Sequence, residues 1–279
     1  MLTYTSQRNL AGKLTSDSSS ANLETMDTLC NEFTREVVSL KPWPFRDRTR
    51  TFSTNTANVH YLPADCGKVN TITVTIGSTT YTPRIIKDRM VWDRLNQSSD
   101  TSDTPEAVFI FDNFFKFYPA PATATTNAGT ISYKKTQKDL SIADYTTGTI
   151  TSIANGATTV TGSGTSWTAK MAGRWIRITD SNTANTGDGE WYEISSITSV
   201  TELELVAPYN GTSIAAGSAA YTIGQVSIIP EDFQMVPLHR AVEHYFTFIQ
   251  PEADRAGAAK GLYAEGIKRM NAECGGYGI

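Results

Sequence analysis

Helical periodicity is concentrated at the two ends of this chain, and short strand-like runs separated by turn residues fill most of the interval between them. Near the N-terminus, apolar residues recur at steps of three and four, the spacing that places them on one side of a helix. This stripe consists of Leu23, Met26, Cys30, Phe33, Val37 and Leu40. Asn22 is the predicted N-cap and Pro42 the predicted stop, so we expect a helix of roughly 27 Å at 1.5 Å per residue.

Two further helices are predicted at the C-terminal end. The first opens at residues 230–232, and its apolar stripe consists of Leu238, Val242, Tyr245 and Ile249. The second has Pro251 at its first position, where proline is tolerated, and stops at Gly275-Gly276. Its stripe consists of Ala256, Ala259, Tyr263, Ile267, Met270 and Cys274. Because these helices are apolar on one side only, we expect the two chain ends to pack together as one helical lobe.

The last predicted helix has one side face made of very small residues, Ala253, Gly257 and Gly261, and Gly266 also lies inside it. A glycine in a helix interior costs roughly 1 kcal/mol relative to alanine. We therefore expect another backbone to approach this helix closely.

Residues 46–145 have the residue pattern of β-strands and include two predicted hairpins. In the first, residues 72–76 alternate Ile or Val with Thr before a turn at Gly77-Ser78. In the second, phenylalanines alternate around the turn pair Asp112-Asn113; they are Phe109, Phe111, Phe115 and Phe117. Between the hairpins, Asp88–Leu95 predicts a short helix. We interpret the region as a compact antiparallel β lobe.

A second β region follows at residues 146–225. Short apolar-alternating runs separated by Asn/Gly turns are typical of a small barrel or sandwich. The runs are Thr149–Ile153, Thr158–Val160, Arg174–Ile178, Trp191–Ile197, Glu202–Val206 and Ala220–Ile223. Trp167, Trp175 and Trp191 would supply its core or one of its faces. Strands are predicted both before and after this region, so we interpret it as an insertion in the middle of the chain.

The predicted fold class is therefore α+β. A helical lobe is formed by the N- and C-terminal helices, a central antiparallel β lobe follows the first helix, and a small β-barrel or sandwich domain is inserted after it. The predicted domain boundaries are 1–45 for the N-terminal helical segment, 46–145 for the β lobe, 146–225 for the inserted domain and 226–279 for the C-terminal helical segment.

The charge composition argues against a nucleic-acid-binding protein. The formal net charge is −4, whereas a nucleic-acid binder needs a clustered basic surface. The short basic stretch Arg46, Arg48 and Arg50 is interrupted by Asp47 and lies in a predicted loop. We interpret these arginines mainly as a contact between subunits, with nucleic acid as the alternative. Charged residues make up only 19% of the chain, which fits extensive subunit contacts because interface cores are depleted in charge.

The three cysteines, Cys30, Cys66 and Cys274, are far apart and in no metal-binding spacing. An odd number of scattered cysteines indicates a chain that folds in a reducing compartment without a disulfide framework. Residues 1–14 lack the layout of a signal peptide, and no apolar run is long enough to cross a bilayer. We expect a protein that is neither exported nor inserted in a membrane.

Three sequence motifs that could bind a metal ion or a phosphate are better explained as ordinary structural elements. His239 and His244 would point about 140° apart on a helix and so cannot share a metal ion. Gly162-Ser-Gly164 lacks the following helix that a phosphate loop needs. The loop Asp180–Glu190 departs from the calcium-loop pattern, so we favour an ordinary turn and leave a bound cation as the alternative. We predict no catalytic residue, no metal, no cofactor and no enzymatic activity.

Stretches along most of the chain resemble tailed-bacteriophage head-to-tail connector adaptors, the portal-tail adaptor or neck proteins. The predicted first helix, with Asn31-Glu32-Phe33 at its middle and Lys41-Pro-Trp-Pro-Phe45 after it, resembles the opening helix of that family. Tyr61-Leu-Pro-Ala-Asp65 and the strands after it resemble the strand-hairpin module of phage neck proteins. Val160-Thr-Gly-Ser-Gly-Thr165 resembles a β domain common in phage structural proteins, and Ile229-Pro-Glu-Asp-Phe233 resembles the return to helix.

The resemblance implies a structural virion protein of the neck, assembled in the host cytoplasm. It implies a homo-oligomeric ring, usually a dodecamer, that docks on the portal and joins it to tail tube, nozzle or fibre proteins. Genomic DNA would pass through the lumen without specific binding, and no membrane would take part. The alternatives are a head-completion or tail-terminator protein, or a carbohydrate-binding module that stacks sugars on the tryptophans of the inserted domain.

Two sets of contact residues are predicted on this basis. The expected ring-interface residues are Ala253, Gly257, Gly261, Arg46, Arg48 and Arg50. The expected portal-contact residues form the C-terminal tail, which consists of Cys274, Gly275, Gly276, Tyr277, Gly278 and Ile279. The inserted domain is expected to face tail or fibre proteins.

Overall fold

The computed structural model describes residues 1–97, 104–179 and 187–275. It is a mixed fold of helices and sheets with helices at both chain ends, which confirms the predicted fold class. Contacts divide the chain into two compact units. The first comprises residues 1–39 and 139–273, and the second comprises residues 40–138 with the chain end from Cys274. The four predicted domain boundaries stay predictions.

The described helices are α1 (Tyr4–Thr15), α2 (Ser20–Ser39), α3 (Arg89–Asn96), α4 (Met235–His244) and α5 (Ala253–Cys274). The apolar side of α2 packs as predicted against α4, with contributions from α1 and α5. The shared core consists of Ala11, Met26, Leu29, Cys30, Phe33, Leu238, Ala241, Val242, Tyr245, Phe246 and Ala259. The two chain ends therefore form one helical core. None of the helices described combines the length and the apolar character that crossing a bilayer requires.

Several details of the helical predictions are wrong. Asn22 is a buried residue inside α2 and not its N-cap; its amide Nδ2 donates to Thr15 Oγ1 at 2.8 Å. Ser19 precedes the helix instead, and its Oγ accepts from the Asn22 N–H at 3.4 Å. Leu40 lies beyond the end of α2 and is exposed. Ile249 is exposed as well, because the chain after α4 turns through a five-residue π-helical segment.

Two further differences are a helix that begins later than predicted and a helix that was not predicted. The helix predicted to open at Pro251 begins two residues later, at Ala253. Helix α1 was not predicted, since its polar sequence has no clear apolar stripe. It is started by Thr3, whose Oγ1 accepts from the Ser6 N–H at 3.2 Å.

The β lobe contains α3 and eight strands in two four-stranded sheets. The strands are β1 (Asp47–Phe52), β2 (His60–Tyr61), β3 (Cys66–Ile76), β4 (Thr79–Tyr81), β5 (Arg84–Ile86), β6 (Ala107–Phe111), β7 (Phe114–Tyr118) and β8 (Gly129–Lys135). The strand order is β1-β8-β3-β4 in the first sheet and β2-β7-β6-β5 in the second. Both predicted hairpins are confirmed, as β3–β4 and β6–β7, and so is the short helix between them. The lobe is not wholly antiparallel, since β5 pairs in parallel with β6.

The inserted sheet is a single antiparallel sheet of seven strands in the order β14-β9-β10-β13-β12-β11-β15. Its strands are β9 (Thr149–Ile153), β10 (Thr159–Ser163), β11 (Trp175–Ile178), β12 (Trp191–Ser199), β13 (Glu202–Leu205), β14 (Ile214–Ala219) and β15 (Tyr221–Gly224). Six of the seven match predicted runs; β14 was not predicted because its small residues do not alternate. One face of the sheet encloses a single apolar core that includes Ile150, Val160 and Trp167.

Candidate interaction surfaces

The small-residue face of α5, formed by Ala253, Gly257 and Gly261, is exposed. A β-carbon placed on Gly257 or on Gly261 would meet no atom within 4 Å in the described part of the chain. Gly266 differs, because a β-carbon there would lie 2.6 Å from the Val236 side chain of α4. Packing within the chain therefore accounts for Gly266, and it leaves the other two glycines without a reason inside the subunit.

Arginines fix the opposite side of α5 against the helical core. The guanidinium of Arg255 lies 4.2 Å from the Phe246 ring centroid, and its Nη2 donates to the Leu14 carbonyl at 2.7 Å. The guanidinium of Arg240 lies 5.6 Å from the Tyr263 ring centroid. These contacts combine stacking with charge-assisted hydrogen bonding. They set the rotation of α5 about its axis and so leave the small-residue face turned outward.

Arg48 and Arg50 lie on strand β1, not in the loop that was predicted. Arg46 is the last residue of a short 3-10 turn immediately before this strand. In the register of β1 with β8, Arg48 is opposite Tyr133 and Arg50 is opposite Ile131. Opposite residues share a face of the sheet, so both arginines lie on the side of the buried Tyr133 and Ile131. β1 is an outer strand, and charged side chains on the inner side of an outer strand disfavour its pairing with a further strand. The assignment of these residues and Arg46 to a ring interface stays a prediction.

Lys134 holds the start of β1 in place. Its ammonium donates to the carbonyls of Pro42 and Trp43, each at 3.1 Å, and to Asp47 Oδ2 at 2.8 Å. The Trp43 ring is buried and stacks on Phe45 with 5.6 Å between centroids. A lysine of β8 therefore secures the segment that carries Trp43 and Phe45.

The predicted portal-contact tail is only partly described. Cys274 is the last residue of α5, and Gly275 follows it; both are half-buried. The remaining predicted residues, Gly276, Tyr277, Gly278 and Ile279, lie outside the described residues.

A hydroxyl-covered surface, which we call the hydroxyl face, was not predicted. It lies on the outer side of the first sheet of the β lobe and consists of Thr49, Thr51, Thr71, Thr73, Thr75, Thr80, Thr130 and Ser132. Neighbouring strands are linked by hydroxyl pairs, Thr73 with Thr130 at 2.6 Å and Thr75 with Thr80 at 3.0 Å. The alternation of threonine with Ile72 and Val74 was a visible signal, but the matching of hydroxyls across strands depends on the register.

A second unpredicted surface lies where the β6–β7 hairpin meets α3 and β2. We call it the aromatic–cation face; it consists of Tyr61, Arg89, Phe111, Phe114 and Lys116. The Phe114 ring stacks on Phe111 with 4.9 Å between centroids, and Tyr61 meets Phe114 edge-on at 6.4 Å. The charged groups of Arg89 and Lys116 lie 5.2 and 5.8 Å from the Phe111 centroid. The phenylalanine alternation predicted the hairpin but not that its tip carries these rings to the surface.

The tryptophans of the inserted sheet have different roles. Trp167 is 1% exposed, and its Nε1 donates to the Tyr221 hydroxyl at 2.9 Å, so it is a core residue that no sugar can stack on. Burial raises the pKa of Tyr221 to about 12. Trp175 and Trp191 are half-buried on the opposite side of the sheet from the buried Ile176. Any carbohydrate-binding role would therefore depend on these two rings.

Groups with metal-binding chemistry do not assemble in the described residues. No set of three or more histidine, cysteine or acidic residues in these parts of the chain is placed to hold a metal ion. Asp180 and Asn182 of the predicted cation loop lie outside the described residues. Asp188 accepts hydrogen bonds from the Tyr192 hydroxyl and from the Glu190 N–H, so its carboxylate is engaged in the turn.

The histidines are packing residues in this structure. His60 is 3% exposed, and its ring lies 5.2–5.6 Å from the rings of Phe52, Phe115 and Phe117. Burial lowers the pKa of His60, and the backbone of Ser53 opposes this only in part. Burial also lowers the pKa of His239. A neutral imidazole in an aromatic cage has no access to a substrate.

A comparison with protein families gives a match to the model described as SU10 adaptor protein, over residues 3–157. The match covers more than half of the 279 residues. It includes α1, α2, the whole β lobe and strand β9 of the inserted sheet. A comparison with curated proteins gives no match.

Proposed function

The chain belongs to the SU10 adaptor protein family, and on this premise we propose that it forms a ring that docks on the head portal of a tailed phage and connects it to the tail. Membership in the family makes the chain a phage adaptor protein and a structural component of the virion. The family match is the observation that carries the proposal. The ring, the portal, the tail proteins and the passage of DNA are the parts that we propose.

The small-residue face of α5 supports a ring. A ring of identical copies requires two different complementary flanks on each subunit. Gly257 and Gly261 cost helix stability, and no neighbour in the described chain accounts for them. A helix of an adjacent copy would account for both, because glycine allows two backbones to approach closely. We assign Ala253, Gly257 and Gly261 to this flank and the arginines of β1 to the ring contact.

The end of α5 supports a contact with the portal. Helix α5 ends at Cys274, with Gly275 after it, and the glycine-rich, aromatic sequence that follows is suited to a peg. We assign residues 274–279 to portal binding. Deletion of this segment should leave ring formation intact and abolish binding to portal particles.

The inserted sheet supports an outward contact with tail, nozzle or fibre proteins. Its two ends meet, since Tyr145 and Ile223 exchange backbone hydrogen bonds of 2.9 and 2.8 Å. A short linker can therefore replace residues 146–224 without separating the flanking segments. The shortened chain should still dock on portals and should fail to recruit the tail.

The acidic balance of the chain supports passage of DNA through the lumen. With a net charge of −4, the subunit lacks the excess of cations that would neutralise phosphates and retain DNA. DNA would then slide past the ring without being held.

The direct test mixes the purified chain with purified portal particles and images the product by electron microscopy, with the chain alone as the control. We expect a ring seated on the tail-facing end of the portal, whose copy number is then counted. A chain that ignores portals but coats tail tubes or binds host polysaccharide would contradict the proposal. Loss of polysaccharide binding in a folded Trp191→Ala variant would then identify a sugar-binding module.

The ring contact has a sharper test in the double variant Gly257→Leu/Gly261→Leu. Leucine is the better helix former by roughly 0.5–1 kcal/mol per site, and a β-carbon at either position meets no atom within 4 Å in the described residues. We expect thermal stability to be kept or raised while sedimentation shows loss of rings. Ala258→Leu, placed about 100° from Gly257 and about 60° from Gly261 around the helix, adds bulk beside this face and should leave rings intact. Intact rings in the double variant would remove α5 from the interface.

A further inference from the structure

Six basic residues from three separate segments of the chain lie at one end of the first sheet of the β lobe. Strands β1 and β3 begin at this end and β8 finishes there, because β8 pairs antiparallel with both. We call this region the basic end; its cations are Arg46, Arg48, Arg50, Lys68, Lys134 and Lys135. The segments that carry them, 46–50, 65–68 and 134–135, contain two acidic residues, Asp47 and Asp65. The whole chain has a net charge of −4, so folding gathers a local positive charge that the composition does not show.

The two acidic residues offset only part of this charge. Asp47 pairs with Lys134 at 2.8 Å, and Asp65 lies 3.9 Å from the ammonium of Lys135. Three further cations, Arg48, Arg50 and Lys68, have exposed side chains. Long cationic side chains keep their charged heads in water and can extend past the end of a sheet from either of its faces. The basic end therefore presents positive charge to the solvent.

Hydroxyl groups continue the basic end along the sheet. Lys68 is opposite Lys134 in the strand register, and Lys134 alternates with Ser132 on β8, so both lysines share the hydroxyl face. None of the exposed large apolar side chains of the described chain lies in segments 46–50, 65–68 or 134–135. Lysine, arginine, serine and threonine are the side chains that contact DNA phosphates, and interfaces with DNA are more polar and more positive than those between proteins. The composition of the basic end therefore favours a DNA backbone over a protein surface.

The acidic residues of the chain are dispersed, which disfavours a second copy as the partner. The inserted domain, residues 146–225, has six acidic and three basic residues spread along its length. In the helical core, Asp27 pairs with Arg8 at 3.2 Å and Glu243 with Arg240 at 2.7 Å, so these carboxylates are already engaged. Double-stranded DNA instead carries one negative charge per about 1.7 Å of its axis. Charge density therefore favours DNA over a second copy.

We infer that the basic end binds the phosphate backbone of double-stranded DNA without reading its sequence. The cations pair with phosphates, and the neighbouring hydroxyls donate hydrogen bonds to phosphate oxygens. One copy neutralises about three phosphates, so the contact is weak and allows DNA to slide. The inference rests on the proposed function only for the presence of DNA beside the chain, and it gives Arg48 and Arg50 a role other than the ring contact assigned above.

The test is a salt titration of DNA binding by the purified chain. Fluorescence anisotropy of a fluorescein-labelled duplex of mixed sequence measures the association constant from about 20 to 200 mM NaCl. We expect its logarithm to fall linearly with the logarithm of the salt concentration, with a slope of about −3. Arg50→Gln and Lys68→Gln should each make the slope shallower by about one and weaken binding about tenfold at about 50 mM NaCl. Lys170→Gln, an equal charge change at an exposed lysine of the inserted domain, should leave both quantities unchanged.

Other outcomes overturn the inference in distinct ways, once thermal unfolding has shown that each variant is folded. Absence of binding at the lowest salt would remove DNA as the partner. Equal weakening by Lys170→Gln would show that binding follows net charge and has no site at the basic end. Loss of rings in Arg50→Gln with unchanged affinity for DNA would return Arg50 to the ring contact. Failure to dock on portals, with DNA binding intact, would instead contradict the proposed function alone.

Discussion

The two β regions of this protein bury their aromatic residues in opposite ways. In the inserted sheet, Trp167, Tyr209 and Tyr221 lie inside one core. In the β lobe, a series of ring contacts begins at the buried Trp92 and Phe109 and continues through Phe111 and Phe114 to Tyr61, which is largely exposed. Both regions are built mostly from short strands.

The difference shows which aromatic residues stabilise the fold and which remain available to a partner. A ring with a hydrogen-bonded neighbour in a closed core contributes to the stability of its own domain. A ring that is half-buried beside cations at the tip of a hairpin contributes little to folding and much to association. Substitutions in the two regions should therefore separate loss of stability from loss of binding.

The largest effect is expected for Trp167→Ala in the inserted sheet. The change leaves a cavity in a fully packed core and removes the hydrogen bond from Nε1 to the Tyr221 hydroxyl. We expect a loss of about 3–5 kcal/mol in the free energy of unfolding, measured by denaturant titration. Trp191→Ala, at a half-buried position, should cost clearly less. Equal losses at the two positions would mean that the core-facing side of the sheet and the opposite side contribute equally to stability.

A smaller effect is expected for Lys134→Met in the β lobe. The lysine side chain is 14% exposed and donates to two carbonyls and to Asp47. Hydrogen bonds from a charged donor contribute about 1.5–3 kcal/mol, so we expect a loss of about 2 kcal/mol and faster proteolysis near Trp43. The exposed Lys138→Met is the matched control and should be neutral. A neutral Lys134→Met would show that water replaces the lysine at these carbonyls.

The lobe should also lose stability on acidification because of His60. Burial holds the pKa of His60 below its ordinary value of about 6.5, so below that pH the unfolded chain binds the proton more readily than the folded chain does. Stability should therefore fall from about pH 6.5 down through the folded pKa, by at most about 1.4 kcal/mol per pH unit.

His60→Leu should flatten this pH dependence, measured as the difference in unfolding free energy between pH 7 and pH 5. The difference between the two proteins isolates His60, because His239 contributes with the same sign in both. An unchanged slope in the variant would mean that His60 is not neutral in the folded chain.

The smallest effect on stability is expected at two exposed side chains of the β lobe, Tyr61 and Met90. Met90→Ser and Tyr61→Ser should each change the free energy of unfolding by less than about 0.5 kcal/mol, since both side chains are mostly exposed. Thermal unfolding of the purified variants measures this. A loss above about 1 kcal/mol would show that these side chains support the lobe itself.

Local patterns were sufficient wherever neighbours in the chain set the structure. The stripe of α2, the hairpins β3–β4 and β6–β7, and six strands of the inserted sheet follow from apolar spacing and turn residues. Helix α1 and strand β14 did not follow, because α1 is polar and β14 is made of small residues. Both are held by contacts to distant segments, such as the hydrogen bond from Arg255 to the carbonyl of Leu14.

The sequence by itself determined the class of most elements, their order and the acidic net charge, since these depend on periodicity and composition. Only the tertiary structure decided the parallel pairing of β5 with β6, the inward side of Arg48 and Arg50, and the exposure of Gly257 while Gly266 is covered. The physical reason is that strand direction, register and helix rotation are set by contacts between distant segments. The surfaces proposed here for binding depend on those contacts.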